Sequence, residues 1–238
     1  MFFNRDLELR FYFADATLAV QKSAIPAFNQ EPWTTLRTNN ISAQRFFYAD
    51  QTHGTDGLVI TKHMVCDQRN LIQADYLITN VPGVALANFT ADCLPIILYD
   101  WFNNAIALIH AGWRGSVAGV ATKALAHMKQ LFGTDPECTL VVFGPSAQVC
   151  CYQVNTDFIQ NIKERASGQV LAKVLCSTKN GWHFDLPLFN ALLLQNAGVT
   201  HANISFAGIE CCTICNRQYC SYRRDATDQR NINLAFLK

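Results

Sequence analysis

Three residues of this 238-residue chain, His53, Cys93 and His110, carry side chains suited to holding a single metal ion. Imidazole nitrogen and thiolate sulfur are the donors zinc prefers, and three protein ligands leave a fourth position open for water or substrate. Each residue alone has a plainer explanation, as a structural histidine or a buried thiol. Their placement argues for more. His53 stands in Gln51-Thr52-His53-Gly54, just past an apolar stretch, and Cys93 ends Thr90-Ala91-Asp92-Cys93, between two apolar stretches. His110 closes the apolar run Ala105 to His110 and opens Ala111-Gly112-Trp113-Arg114-Gly115. Turns at strand ends are where scaffolds carry reactive groups, and an ionisable residue at the end of a buried strand needs a partner.

Other side chains near these three suit a supporting part. The glycines Gly112 and Gly115 let backbone approach a ligand closely. A helix beginning after them offers unpaired N–H groups to an anion, and Arg114 adds a fork of donors. Asp92 fits three roles: orienting a ligand His, acting as general acid or base, or capping its turn. Trp113 suits stacking on a base or burial in the core. Arg223 and Arg224 follow Tyr219 and Tyr222. They read either as a solvated turn paired with Asp225 or as donors to substrate or phosphate.

The elements that must carry these residues are short strands and helices in alternation. Strands are expected at Leu9 to Phe13, Arg45 to Ala49, Gly57 to Thr61, Tyr76 to Thr79, Val84 to Phe89, Leu94 to Tyr99, Ala105 to His110, Thr139 to Phe143 and Ile204 to Ile209. Pro26 and Pro32 are expected to interrupt regular structure before the second strand. The clearest helix is Ser116 to Phe132, apolar at steps of three and four, with Ser116 as N-cap and Gly133 as stop. Further helices are expected at Asp157 to Arg165 and Leu186 to Asn196. The class is α/β, mixed sheets with flanking helices, and the whole span 1–238 is expected to form a single domain.

Bulk properties narrow the function. Net charge is +1, from 19 Lys+Arg against 18 Asp+Glu, so a nucleic-acid partner is not expected. No apolar run is long enough for a bilayer, and the N-terminus lacks a signal-peptide core, so a cytoplasmic location and no membrane partner are expected. Without an export signal, the 10 Cys point to burial, catalysis or metal binding instead of a disulfide frame. Cys212-x-x-Cys215 has standard zinc spacing, with Cys211 and Cys220 nearby. Four-Cys sites usually combine two well-separated pairs, so these four are read as ordinary buried thiols. Oligomeric state is left open.

A set of motifs then appears in order: Gln51-Thr52-His53-Gly54, Ala74-Asp75, Thr90-Ala91-Asp92-Cys93-Leu94-Pro95, His110-Ala111-Gly112-Trp113-Arg114-Gly115, Gly144-Pro145-Ser146, Cys212-Thr213 and Ser221-Tyr222-Arg223-Arg224-Asp225. Across residues 45 to 238 the chain resembles the YfiH/laccase-domain family, also called the multicopper polyphenol oxidase or purine nucleoside phosphorylase family. The resemblance implies a mixed α/β fold related to a group of cysteine hydrolases. It implies zinc on His53, Cys93 and His110, and an activity like that of purine nucleoside phosphorylases, with adenosine deamination in the same site. Nucleoside and phosphate are the implied small-molecule partners. The chain departs from the family in two places: an N-terminal Arg-x-Gly-Gly segment is absent from residues 1–45, and Asp228-Gln229-Arg230 stands where Thr-Gly-Arg is usual.

Three activities are carried forward. The first is zinc-dependent phosphorolysis of adenosine- or inosine-type nucleosides, with Cys93, His110, Asp92 and Arg114 in the catalytic site and Trp113, Arg223 and Arg224 on substrate. The second is a copper-dependent polyphenol oxidase (laccase). The third is a metal-free hydrolase with Cys93 as nucleophile and His110 as base.

Overall fold

The computed structural model describes residues 8–27, 30–38, 43, 45–64, 72–205 and 211–238. Along the chain run β1 (Leu9–Phe13), β2 (Val20–Gln21), α1 (Trp33–Thr38), β3 (Arg45–Phe47), β4 (Gly57–Val59), β5 (Tyr76–Thr79), β6 (Val84–Thr90), β7 (Leu94–Asp100) and β8 (Ala105–Ala111). Then follow α2 (Trp113–Val117), α3 (Val120–Phe132), β9 (Thr139–Phe143), β10 (Gln153–Val154), α4 (Thr156–Lys163), α5 (Gly168–Val174), β11 (Leu175–Thr178), β12 (Gly181–Phe184), α6 (Leu186–Asn196), β13 (Ile204–Ser205), α7 (Tyr222–Asp225) and β14 (Gln229–Leu237).

Two mixed sheets stack. The larger has the order β13-β9-β7-β8-β5-β4, and the second runs β1-β14-β6-β3 with β2 added to β14. A small sheet, β10-β12-β11, stands apart from both. The pleat sorts the apolar strand residues into layers, because successive side chains face opposite sides. Ile96, Leu98, Ala107 and Ile109 pack toward α3 and α6. Ile97, Tyr99, Ile106 and Leu108 face the second sheet and meet Val84, Leu86 and Ala235. On the far side of that sheet, Ala85, Ala87 and Phe89 pack against Trp33, Leu36 and Phe46. Burial on both faces is why β6, β7 and β8 read as continuous apolar runs.

Most expected elements are present, with shifts that have physical causes. The main helix is broken. α2 starts at Trp113 with Gly112 as N-cap, and Gly119 at φ 83 separates it from α3. Ser116 is therefore not an N-cap; it is buried inside α2, where its hydroxyl accepts from Asn190 at 2.9 Å. The stop at Gly133 stands, in the left-handed conformation. α4 begins at Thr156, capped by Asn155, whose side chain accepts from the Phe158 amide. Pro32 does not end regular structure but precedes α1, whose Trp33 is fully buried. The late strand is seen at Ile204–Ser205, and 206–210 lie outside the described residues.

Antiparallel pairing does the positioning. β8 runs antiparallel to both β5 and β7, so its end lies beside their beginnings. β9 is antiparallel to β7 and β13 parallel to β9, so the segments after both reach the same edge.

Candidate metal centre

That shared edge holds His53, Cys93 and His110. Cys93 immediately precedes β7, His110 sits one residue from the end of β8, and His53 reaches them from the loop before β4. Their donor atoms all lie within 4.8 Å of one another, and the imidazole rings of His53 and His110 stand 4.7 Å apart at 74°. Two imidazoles and one thiolate at this spacing fit a zinc ion with a position left open.

Asp75, just before β5, is the organiser. Its buried carboxylate accepts five donors: the amides of Thr52 (3.3 Å), His53 (2.9 Å) and Gly54 (2.6 Å), the Thr52 hydroxyl (3.0 Å) and His110 Nδ1 (2.8 Å). The first four hold the His53 loop, including His53 itself at φ 63, a left-handed conformation costly for a residue with a side chain. The fifth sets the His110 tautomer. An ionised carboxylate only accepts, so Nδ1 carries the hydrogen and Nε2 is left for the ligand. Burial pushes the Asp75 carboxyl up, but the His110 contact and the loop hydrogen bonds outweigh it and bring it to about 2.

The same forces act on the thiol. Burial would raise Cys93, yet the charge and hydrogen bonds of His110 and then His53 bring it down to about 6. Burial would lower His110, yet the Cys93 thiolate and Asp75 raise it to about 9. Without metal, the pair is a thiolate beside an imidazolium over that interval. In metal-free protein, alkylation of Cys93 followed by peptide mass should rise with a midpoint near pH 6, and His110→Ala should move the midpoint up toward the ordinary thiol value of 9.0.

Gly112 is required by packing. A Cβ there would lie 2.8 Å from His53 Cδ2 and 3.0 Å from Cys93 Sγ. Gly112→Ala should displace two donors and weaken metal affinity by about 10- to 100-fold, read by competition with a chromogenic chelator.

Beside the three donors opens a cavity of about 510 Å³. Arg114, Trp113, Asp92 and Arg223 line it, as do Lys22, Arg230, Tyr152 and Tyr222. Arg114 stacks over the Trp113 ring at 4.4 Å, and Arg223 lies 5.3 Å from the Tyr152 ring centre. Asp92, at φ 87, accepts from the Thr213 hydroxyl (2.7 Å) and from the Arg223 amide (2.6 Å). Its carboxylate thus anchors a turn and the start of α7, and the carboxylate bonded to His110 is that of Asp75.

Arg224 does not reach the cavity. Its guanidinium donates to the carbonyls of Thr213, Ile214, Asn216 and Tyr219 and pairs with Asp225. Of the two arginines, Arg223 is the one on the cleft. The sequence pattern assigns no role to Asp75, Tyr152, Lys22 or Arg230. Asp75 has a signal, an acid directly before a buried strand. Lys22 and Arg230 have none, because they meet only through the pairing of β2 with β14.

No helix among the described residues is long and apolar enough to cross a membrane. Comparison with known proteins agrees with the geometry. A family model described as "Multi-copper polyphenol oxidoreductase laccase" matches residues 12–238. The chain is 32% identical over 179 residues to a protein named purine nucleoside phosphorylase from Bacteroides thetaiotaomicron, covering 73% of this chain and 66% of that one. It is 37% identical over 166 residues to one of the same name from Aquifex aeolicus, covering 67% and 68%. Against several such relatives the chain spans less than two thirds of their length, for instance 61% and 65%. The crystal structure of Bacillus licheniformis YfiH superposes with a TM-score of 0.75 at 29% identity, covering 81% of this chain and 74% of that one. A Neisseria meningitidis structure shares the fold, with a TM-score of 0.78 at 23% identity over 97% and 95% of the two chains. With its motifs gathered at one sheet edge and the family model spanning nearly all of its length, the chain belongs to the YfiH/laccase-domain family.

Proposed function

We propose that this protein is a zinc-dependent purine nucleoside phosphorylase. The observation that carries the reading is one cleft in which a two-His, one-Cys donor set faces four cationic side chains, Lys22, Arg114, Arg223 and Arg230. Its volume of about 510 Å³ lies in the range of small-molecule sites. The relatives' names support it.

When bound, zinc would supply a Lewis-acid position for a substrate group. Everything else falls to side chains of the chain. His53, Cys93 and His110 hold the ion, and Asp75 keeps His110 in the ligating tautomer. The four cations balance the charge of inorganic phosphate in a cleft whose acids are Asp50 and Asp92. Side chains supply that positive charge, since α2 is only five residues long. Tyr222, 60% exposed at the rim, and Trp113 offer faces for a purine. A phosphate oxygen attacks ribose C1′, the C1′–N9 bond breaks, and the base leaves with the bonding pair and takes up a proton. Deamination of adenosine in the same cleft is the finer part of the reading.

Incubation with inosine and adenosine, with and without phosphate, tests this by chromatography. The expected products are free base and ribose 1-phosphate in the phosphate arm, and inosine from adenosine if deamination occurs. No base release at any zinc loading would overturn the phosphorylase reading. Copper is disfavoured by the scarcity of imidazole: of 6 His, His127 is engaged with Tyr76 and His201 with Gln195. A second reading has one observation in its favour. Asp75, His110 and Cys93 stand in the order of an orienting acid, a base and a nucleophile. That hydrolase would need no metal and no His53.

A further inference from the structure

We propose that the chain carries a second metal site, a four-thiolate zinc centre made by Cys150, Cys151, Cys212 and Cys215. It lies outside the donor set described above and uses none of its residues.

Two chain segments build it, both at the sheet edge that holds the first centre. One follows β9, and the other follows the strand β13 that pairs with β9. Ser146 and Cys212 form a parallel bridge, and the Thr213 amide donates to the Ser146 carbonyl at 3.0 Å. That pairing sets the two segments side by side. Cys150 and Cys151 fall in a turn closed by the Cys151 and Tyr152 amides on the Gln148 carbonyl, at 3.0 and 2.9 Å. Adjacent residues of an extended strand would point apart; the turn lets both sulfurs face the same neighbours.

The four Sγ atoms all lie within 4.8 Å of one another. In a tetrahedral zinc site with Zn–S near 2.3 Å, sulfurs are about 3.8 Å apart, so a modest closing movement completes the geometry. Cys212-x-x-Cys215 has the spacing of a zinc knuckle. Soft thiolates in this number select zinc over harder ions such as Mg²⁺ or Ca²⁺. None of the nine described cysteines is in a disulfide.

The placement gives the site a purpose. Thr213, between the two knuckle cysteines, donates to Asp92 beside Cys93, and the Ala147 amide donates to the Asp92 carbonyl. Tyr152, next to Cys151, lines the cleft. A zinc ion here clamps the two loops that support the Asp92 turn and the Tyr152 wall.

The test is zinc content of the full chain, purified under reductant and measured by elemental analysis. Wild type should hold two zinc ions per chain. Cys212→Ser/Cys215→Ser should hold one, and His53→Ala should also hold one by losing the other. Because Cys212 is buried, Cys150→Ser/Cys151→Ser provides an independent variant whose side chains reach the surface; it too should hold one. Cobalt-loaded His53→Ala should show the strong sulfur-to-cobalt charge-transfer absorption of several thiolates, lost in either double variant. Equal zinc in wild type and a folded double variant would overturn the proposal.

Discussion

Cys93→Ser is expected to remove one zinc ion per chain and to lower kcat/KM for phosphorolysis by at least about 10³-fold. Serine's hydroxyl is a poor ligand at neutral pH, while the Cys93 thiol, at about 6, is already deprotonated there. The loss alone does not separate a metal ligand from a nucleophile, so His53→Ala is its partner experiment. His53 meets the Asp75–His110–Cys93 line from the side, through its ring and its own amide. If Cys93 and His110 worked as nucleophile and base, His53→Ala would leave most activity in place. If the three residues hold zinc, both variants should lose metal and activity together. Activity near wild type in His53→Ala protein that has lost that one ion would sink the zinc reading.

Asp75→Asn should be nearly as damaging, through positioning. An amide presents one oxygen and two N–H groups where the carboxylate presented two acceptors. Whichever way it turns, at least two of the five donors now on Asp75 lose their partner. The cost to stability is about 2–4 kcal/mol, since buried donors are left unpaired. Metal affinity should fall by about 10- to 100-fold, because either His110 loses the acceptor that fixes its tautomer or the His53 loop loses the hydrogen bonds that hold it. The pH dependence has a definite sign. The Asp75 pKa is depressed in the folded state, from 3.8 to about 2. Its stabilisation is therefore complete above about pH 4 and lost as pH falls toward 2. In urea unfolding of zinc-stripped protein, the gap between wild type and Asp75→Asn should hold from neutral pH down to about 4 and narrow below it. A gap that stays constant down to pH 2 would show that the carboxylate charge is not the source.

Much of this protein could be read from its one-dimensional pattern. Leu94, Ile96, Ile97 and Leu98, or Ala105 to Ile109, announce buried strands because continuous apolar runs of that length have nowhere to go but a covered sheet. The candidate donors His53, Cys93 and His110 stood out because Cys93 and His110 lie at the ends of such runs and His53 in a turn, and the structure brings the three together. Leu186–Asn196 appeared with its observed bounds, since Asp185 caps it and its apolar density is high.

Other features depend on how strands pair across the chain. Asp75 stands in the motif Ala74-Asp75, yet it acquires a role only when β5 sets it opposite His110. Arg223 and Arg224 are neighbours of one type, and only the course of α7 sends one to the cleft and the other to four loop carbonyls. Lys22 and Arg230 share a wall because β2 joins β14. The cysteines show the same limit most clearly. Spacing along the chain grouped Cys212 and Cys215 with Cys211 and Cys220, whereas the bridge between Ser146 and Cys212 gathers them with Cys150 and Cys151. Local pattern reports what a residue's own segment buries or exposes. Which distant side chains share a site is set by strand order and register, and those come from packing the whole core at once.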